Sequence, residues 1–403
     1  MKPLAVRGVL CFAAVCSLTS FAAGEGVDGS KIKFKRTRID DAFRSEGSAV
    51  GDLNKDGKLD IVAGFVYYAA PDWKLHKLID DAKTYDPHNY SNSFVNATDD
   101  LNGDGWTDVI VADFPGQQTW WFENPQSAGG PWKPHVLTPV TNNESPQYLD
   151  VDGDGRRELV CAVCPDAKDV DGPLRRMALV RRPADIAAPW QIQSISAQAA
   201  AGTQKYSHGL GVGDINRDGR NDVLTIDGWW ESPADESATD KAQAEWKFHP
   251  AKLGQPSAHM FAYDFDGDGD NDVLNSAAHK IGIWWHEQKP DGWQTHEIDA
   301  SYSETHSMCF ADMNGDGQPD FVTGKRWWSH GPTGEPMADQ PAVLFWYELK
   351  HKKDGQPEWI RHAIDHDSGV GTQFTVIDVN GDGLLDVVTS NKKGTHYFQQ
   401  TRE

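Results

Sequence analysis

Cysteine is scarce in this chain, with five in 403 residues, and two of them, Cys11 and Cys16, fall in an apolar N-terminal stretch. The other three, Cys161, Cys164 and Cys309, are too few for a disulfide framework. In the run ELVCAVC, Cys161 and Cys164 point to opposite faces of one strand, as buried free thiols. Basic charge is also in deficit, with 38 Lys and Arg against 60 Asp and Glu, a net charge of −22 and no basic stripe. That excludes a surface built to neutralise phosphates, and with it nucleic acid as a partner. Beyond the N-terminus no apolar run is long enough to cross a bilayer. The motifs GxSxG, HExxH and the phosphate loop are absent too, so no complete nucleophile or zinc-protease signature is present.

What the sequence has instead is one acidic nonapeptide, seven times over. Oxygen-bearing side chains hold positions 1, 3, 5 and 9 in every copy, and Gly holds position 6. The sets are Asp52, Asn54, Asp56 and Asp60; Asp100, Asn102, Asp104 and Asp108; Asp150, Asp152, Asp154 and Glu158; and Asp214, Asn216, Asp218 and Asp222. They continue with Asp264, Asp266, Asp268 and Asp272; Asp312, Asn314, Asp316 and Asp320; and Asp378, Asn380, Asp382 and Asp386. Hard oxygen donors gathered by a sharp glycine turn are what Ca²⁺ requires. The expectation is up to seven structural Ca²⁺ ions, with these residues as ligands. An EF-hand is excluded, because position 12 lacks the Glu and β-rich runs flank each copy in place of helices. The positions named hold 23 carboxylates, so much of the acidity reads as ligand.

Lys2 and Arg7, the apolar run GVLCFAAVCSLTSFA and the Ser20-Phe21-Ala22 site read as a secretory signal over residues 1–22, hence an exported protein. Residues 23–403 read as one domain. Successive loops start 48, 50, 64, 50, 48 and 66 residues apart. Around each recur an inner strand, a second strand such as DVIVADF, an aromatic third strand such as TWWFEN, and a fourth. The fourth carries Trp-x-x-His in five units: Trp73/His76, Trp132/His135, Trp246/His249, Trp293/His296 and Trp359/His362. Four strands per repeat at this period predict an all-β, seven-bladed β-propeller with a Ca²⁺ loop in each blade. Residues 31–40 have no blade of their own, and are expected to close the ring as the outer strand of the last blade.

These loops and their spacing resemble FG-GAP/VCBS repeats, the calcium-loop blades also found in integrin α-chain propellers. The His-bearing inner strands SHGLGVGD, AHMFAYDFD and THSMCFADMN, with TGKRWWSHGPTGE, are more narrowly similar to the propeller part of the aldos-2-ulose dehydratases. That resemblance implies a carbohydrate ligand and an elimination reaction.

Strand direction locates a site. Inner strands run into the loops and second strands run back, so starts of inner strands and ends of second strands meet at the opposite end. His208, His259 and His306 occupy equivalent inner positions of three consecutive units, with Glu144 at the same position of the unit before them. They are candidates for a general base, or for a transition-metal site, with Lys325 and Arg326 as partners that stabilise an oxyanion. Satisfied core histidines are the competing interpretation. Glu46, His88, Asp113, Asp227, His279, Trp327, Gln373 and Lys392 are expected to ring the same opening as substrate-binding residues. Trp327, Trp328, Trp229 and Trp230 offer faces for sugar stacking or for packing. The long segments around CPDAKDVDGPLRR and RWWSHGPTGEPMADQPAV belong to the same mouth. Two functions stay open: an exported carbohydrate lyase or dehydratase, and a non-catalytic Ca²⁺ propeller that binds glycan or protein.

Overall fold

A computed structural model describes residues 26–234 and 245–402. The expected signal over residues 1–22, with Cys11 and Cys16, lies outside them. The described chain is β throughout, relieved by two short 3-10 turns, Gly29–Lys31 and Gln126–Ala128. No helix among the described residues is long and apolar enough to cross a membrane.

The strands form five separate four-stranded antiparallel sheets and one eight-stranded sheet. Four of the five four-stranded sheets follow the chain outward from an inner strand, as in Val95–Asp99, Asp108–Ala112, Gln117–Glu123 and Lys133–Thr141. The sequence favours this locally. β-branched and aromatic residues fill the second and third strands, as in Val109-Ile110-Val111 and Trp120-Trp121-Phe122, and the acidic turn reverses the chain after each inner strand.

The count of seven separate blades is thereby corrected to five. The strands around the loops at Asp214 and Asp264 fuse into one sheet, because Leu210–Gly213 and His259–Tyr263 pair in parallel through Leu210↔His259 and Gly211↔Met260. Gly211 permits it: a Cβ there would lie 2.3 Å from the Met260 carbonyl oxygen, so a side chain would keep the strands apart. At the N-terminal end, Ile32–Asp40 pairs antiparallel with Gly394–Arg402, on the outer side of the last sheet.

Between sheets the core is aromatic and aliphatic. Trp121 and Trp346 are buried, as are Phe265, Phe321 and Phe398. Burying a side chain of this size is worth roughly 4–6 kcal/mol of transfer free energy. The outer-strand histidines belong to this packing. His135, His249, His296 and His362 stack on Trp121, Trp229, Trp285 and Trp346 at 4.1–4.4 Å. Nε2 of each of these rings also bonds Glu123, Glu231, Glu287 or Glu348 at 2.6–3.0 Å. His76 stacks on Tyr67. Trp229 is therefore held in a blade and offers no free face. Cys161 and Cys164 are buried free thiols, and no disulfide forms with Cys309.

Candidate functional site

The acidic loops close in the same way in all seven copies. The position-1 carboxylate accepts the backbone N–H of the position-6 Gly at 2.8–3.2 Å. Those glycines have φ between +81° and +104°, a region that a side chain would strain. The six position-9 aspartates accept one N–H from the loop and one from the third strand: Asp108, for example, takes Leu101 at 3.0 Å and Asn124 at 2.8 Å. Burial is the main cause that lifts their pKa values, Asp60 and Asp386 to about 6 and Asp108, Asp222 and Asp272 to about 7. Carboxylate oxygens converge within 4.8 Å at Asp150, Asp152 and Glu158, and at Asp264, Asp266 and Asp268. In the other five loops position 3 is Asn, so the donors are mixed carboxylate and amide oxygens, a set that suits a hard cation.

A different cluster forms at the other end of the strands. His208 stands just before the inner strand Leu210–Gly213, and His306 just before Met308–Ala311. His279 follows the second strand Asp272–Ser276, and Glu144 precedes Gln147–Leu149. The three imidazoles meet edge to face, with ring centroids 4.4–5.5 Å apart. His208 Nε2 touches His279 Nε2. Glu144 Oε2 lies 3.7 Å from His208 Nε2, 3.9 Å from His306 Nε2 and 3.5 Å from an Arg326 nitrogen. Nitrogens of the three histidines all lie within 4.8 Å of one another.

The electrostatics of this cluster are those of lone-pair donors. Burial, seconded by the Arg326 charge, holds His208 near a pKa of about 3 and His306 well below the ordinary range. Burial, then the neighbouring His208, lowers His279 as well. All three rings are neutral at physiological pH. Burial raises Glu144, with Arg326 opposing. Yet Glu144 Oε2 and both ring nitrogens of His306 are buried with no hydrogen-bond partner. Leaving such groups unmet costs about 1–3 kcal/mol each. Three neutral imidazoles and one carboxylate form a donor set that suits Zn²⁺ or a similar transition-metal ion.

Glu144, His208 and His279 of this cluster line a cavity of about 550 Å³, together with Tyr90, Phe114, Lys205, Tyr206, Asp227 and His330, and His306 is buried behind them. Phe114 packs edge-on to Tyr206 at 5.6 Å, and the Lys205 ammonium rests 4.8 Å above the Tyr206 ring. Glu335 reaches in from the long segment after Gly324. Its Oε1 accepts from His330 Nδ1 at 2.7 Å and lies 3.4 Å from His279 Nδ1. The second contact is in ion-pair range but is not aligned as a hydrogen bond.

The structure separates the residues singled out in the sequence. It brings His208, His306, Glu144 and His279 together, with Asp227 on the cavity wall. It places His259 elsewhere: this ring lines a separate cavity of about 400 Å³ among the inner strands, with Gln373. His259 Nδ1 accepts the Met308 N–H at 3.2 Å, and burial lowers its pKa to about 4. Gln373 Oε1 is taken by the Ser48 N–H at 2.9 Å. Lys325 is fully buried against Glu304 and Ser303, and Arg326 against Glu46, so both cations are held in internal ion pairs, with Arg326 3.5 Å behind the lining residue Glu144. Lys392 donates to the Trp328 carbonyl at 2.9 Å, lies over Tyr90, and falls to a pKa of about 8, chiefly through burial. Asp113 is bonded to Asn92. His88 is exposed beside Trp327 and Trp328.

Sequence reasoning missed His330, Glu335, Lys205 and Tyr206. Their signal was length alone: both contributing segments were longer than in other units.

The FG-GAP-like repeat profile matches residues 100–161 and 264–323. The chain carries FG-GAP-like repeats in a β-propeller-like arrangement. No curated protein matches the sequence. Among solved structures, an Agrocybe aegerita lectin that recognises non-reducing terminal N-acetylglucosamine is similar over 93% of this chain and 87% of its own, at 15% identity and TM-score 0.46. BBS1N, solved in complex with ARL6DN, is similar over 90% and 93%, at 11% identity and TM-score 0.49. The V. cholerae biofilm matrix protein Bap1 is similar over 84% of this chain and 45% of its own, at 16% identity and TM-score 0.37. Likenesses this weak do not bear on what this chain binds.

Proposed function

We propose that this chain is an exported carbohydrate-active protein whose repeated loops hold structural Ca²⁺ and whose cavity floor holds one transition-metal ion. His208, His279, His306 and Glu144 are the ligands of that ion. One observation carries the metal reading: three histidine rings converge with Glu144 Oε2 3.7–3.9 Å from two of them, and four atoms of the set, Glu144 Oε2, His279 Nδ1 and both His306 ring nitrogens, have no hydrogen-bond partner within the protein. Such a group is costly to desolvate unless a cation satisfies it.

The reaction class we favour is elimination of water, or of an alkoxide leaving group, beside a sugar carbonyl. The sequence likeness to the propeller of the aldos-2-ulose dehydratases supports it. When bound, the metal supplies a positive centre that polarises a carbonyl oxygen. The chain supplies the rest. His330 lines the cavity with Nδ1 committed to Glu335, which leaves Nε2 as the nitrogen able to take the C–H proton. Tyr90, Phe114 and Tyr206 supply apolar faces against which a sugar ring stacks. Lys325 and Arg326 act at one remove: Arg326 pairs with Glu46 and Glu144 and holds both in place.

The test is turnover of a panel of oxidised and acidic sugars, followed as the growth of conjugated-carbonyl absorbance. The expected result is activity that His330→Ala lowers by roughly 100-fold or more while the bound metal is retained. Activity unchanged in His330→Ala and in Glu144→Ala would refute an enzyme at this cavity. The second reading, glycan binding without turnover, draws on the same aromatic wall and on the half-buried Trp327 outside it. It predicts metal-dependent sugar affinity with no product.

A further inference from the structure

One acidic loop departs from its six siblings, and the departure is chemical. Where the other loops have Asp at position 9, the third has Glu158. In the six others, the second oxygen of that carboxylate accepts a third-strand backbone N–H, from Ala70, Asn124, Ser232, Gln288, Leu349 or Gln400, at 2.8–2.9 Å. In the third loop Glu158 Oε2 keeps the loop bond to Val151, but Oε1 instead faces the Arg181 guanidinium at 3.3 Å. The same guanidinium nitrogen touches Asp152, at position 3. Arg181 therefore spans two of the four ligand positions.

Arg181 is itself a replacement. The third-strand position before the clamp residue carries Glu in four units, Glu123, Glu231, Glu287 and Glu348, and each bonds the outer-strand histidine of its unit. In the third unit that Glu is Arg181 and that histidine is Gln193, and Arg181 Nε donates to Gln193 Oε1 at 2.8 Å. A Glu–His pair has become an Arg–Gln pair, and the side chain that it anchors turns into the loop. Other loops have cationic neighbours, but each meets a single loop carboxylate: Lys350 lies 3.5 Å from Asp316, and Arg217 lies 2.9 Å from Asp264.

We propose that the loop from Asp150 to Glu158 holds no Ca²⁺, and that the Arg181 guanidinium takes the cation's place. Three carboxylates converge there, Asp150, Asp152 and Glu158, and two of them, Asp152 and Glu158, meet one guanidinium nitrogen, Arg181 Nη1, of a side chain tethered through Nε to Gln193. A fixed internal cation neutralises the loop at every calcium concentration, so this unit keeps its turn when calcium is scarce. The inference rests on the calcium reading above, because it concerns which loops differ.

The test is a calcium count per chain on the full-length protein, after equilibrium dialysis and metal analysis. Asp150→Asn is expected to leave the count unchanged, whereas Asp52→Asn lowers it by one. Arg181→Glu, which restores the residue of the four sibling units, and Arg181→Met are each expected to raise it by one. A count that falls by one in Asp150→Asn overturns the proposal, and so does an unchanged count in both Arg181 variants when circular dichroism shows them folded. Should an Arg181 variant fail to fold, the Asp150 arm alone decides. A wild-type chain that takes up no calcium at any loop sinks the calcium reading and this contrast together, which a loss confined to Asp150→Asn does not.

Discussion

The two ends of the inner strands follow opposite rules. At the loop end the side chains repeat: an Asp at position 1 accepts from a Gly at position 6 in all seven copies. At the cavity end they change from unit to unit, from Glu46 to Phe94 to Glu144 to His208. Repetition at one end says that each unit solves the same folding problem. Variation at the other says that a single asymmetric object is being held. The energetics agree. Backbone donors meet the buried position-9 aspartates, whereas Glu144 Oε2 and both His306 ring nitrogens at the cavity end have no hydrogen-bond partner.

Stripping calcium should break this comparison most severely. If the loops hold the units together, chelation with a calcium-selective agent should lower the melting temperature by roughly 10 °C or more, since ligand binding to the folded state alone stabilises it. Restoring calcium should restore the melt, and scanning calorimetry reads both.

At the cavity end the largest effect should be on metal affinity and not on stability. His306→Ala should weaken transition-metal binding by at least about 100-fold in a chelator competition. The calcium count should not change. Glu335→Ala should cost less than that, because its carboxylate lies 3.4 Å from His279 Nδ1 without a hydrogen bond. Co²⁺ absorption spectra should shift in the same order, which loss of loop packing alone would not produce.

A pH scan separates the ends differently. Position-9 carboxylates have folded pKa values raised above their unfolded ones, Asp108, Asp222 and Asp272 to about 7. A raised pKa means that the folded form binds more protons between pH 4 and 7, so in the calcium-free chain their contribution is lost as pH rises through that window. The calcium-stripped protein should melt higher at pH 5 than at pH 8, and the calcium-loaded protein should not. The smallest effect belongs to the repeat itself. His249→Ala should cost about 1–2 kcal/mol in urea melts, from a lost stack and a lost bond to Glu231, and leave both metals in place.

What was legible in the sequence follows the same divide. The loops, the strand order and the structural role of the Trp-x-x-His histidines could be read because each was stated several times over. Seven separate sheets could not be upheld, because Gly211 lets two strands approach to pairing distance, and one glycine among 38 carries no such label. At the cavity, His208 and His306 were found by their equivalent positions, but equivalence misplaced His259. That residue opens its strand and bonds Met308 across to the next unit. His279 took its place because it ends a second strand at the same height. Glu335 and His330 lie on a long irregular segment, where periodicity gives no register at all.

The most direct test of the central claim is metal analysis of the wild type and Glu144→Ala, each dialysed against calcium with trace zinc, manganese and iron. The account predicts one tightly held transition-metal ion in the wild type and none in the variant, with equal calcium in both. A wild type that holds calcium alone would contradict it.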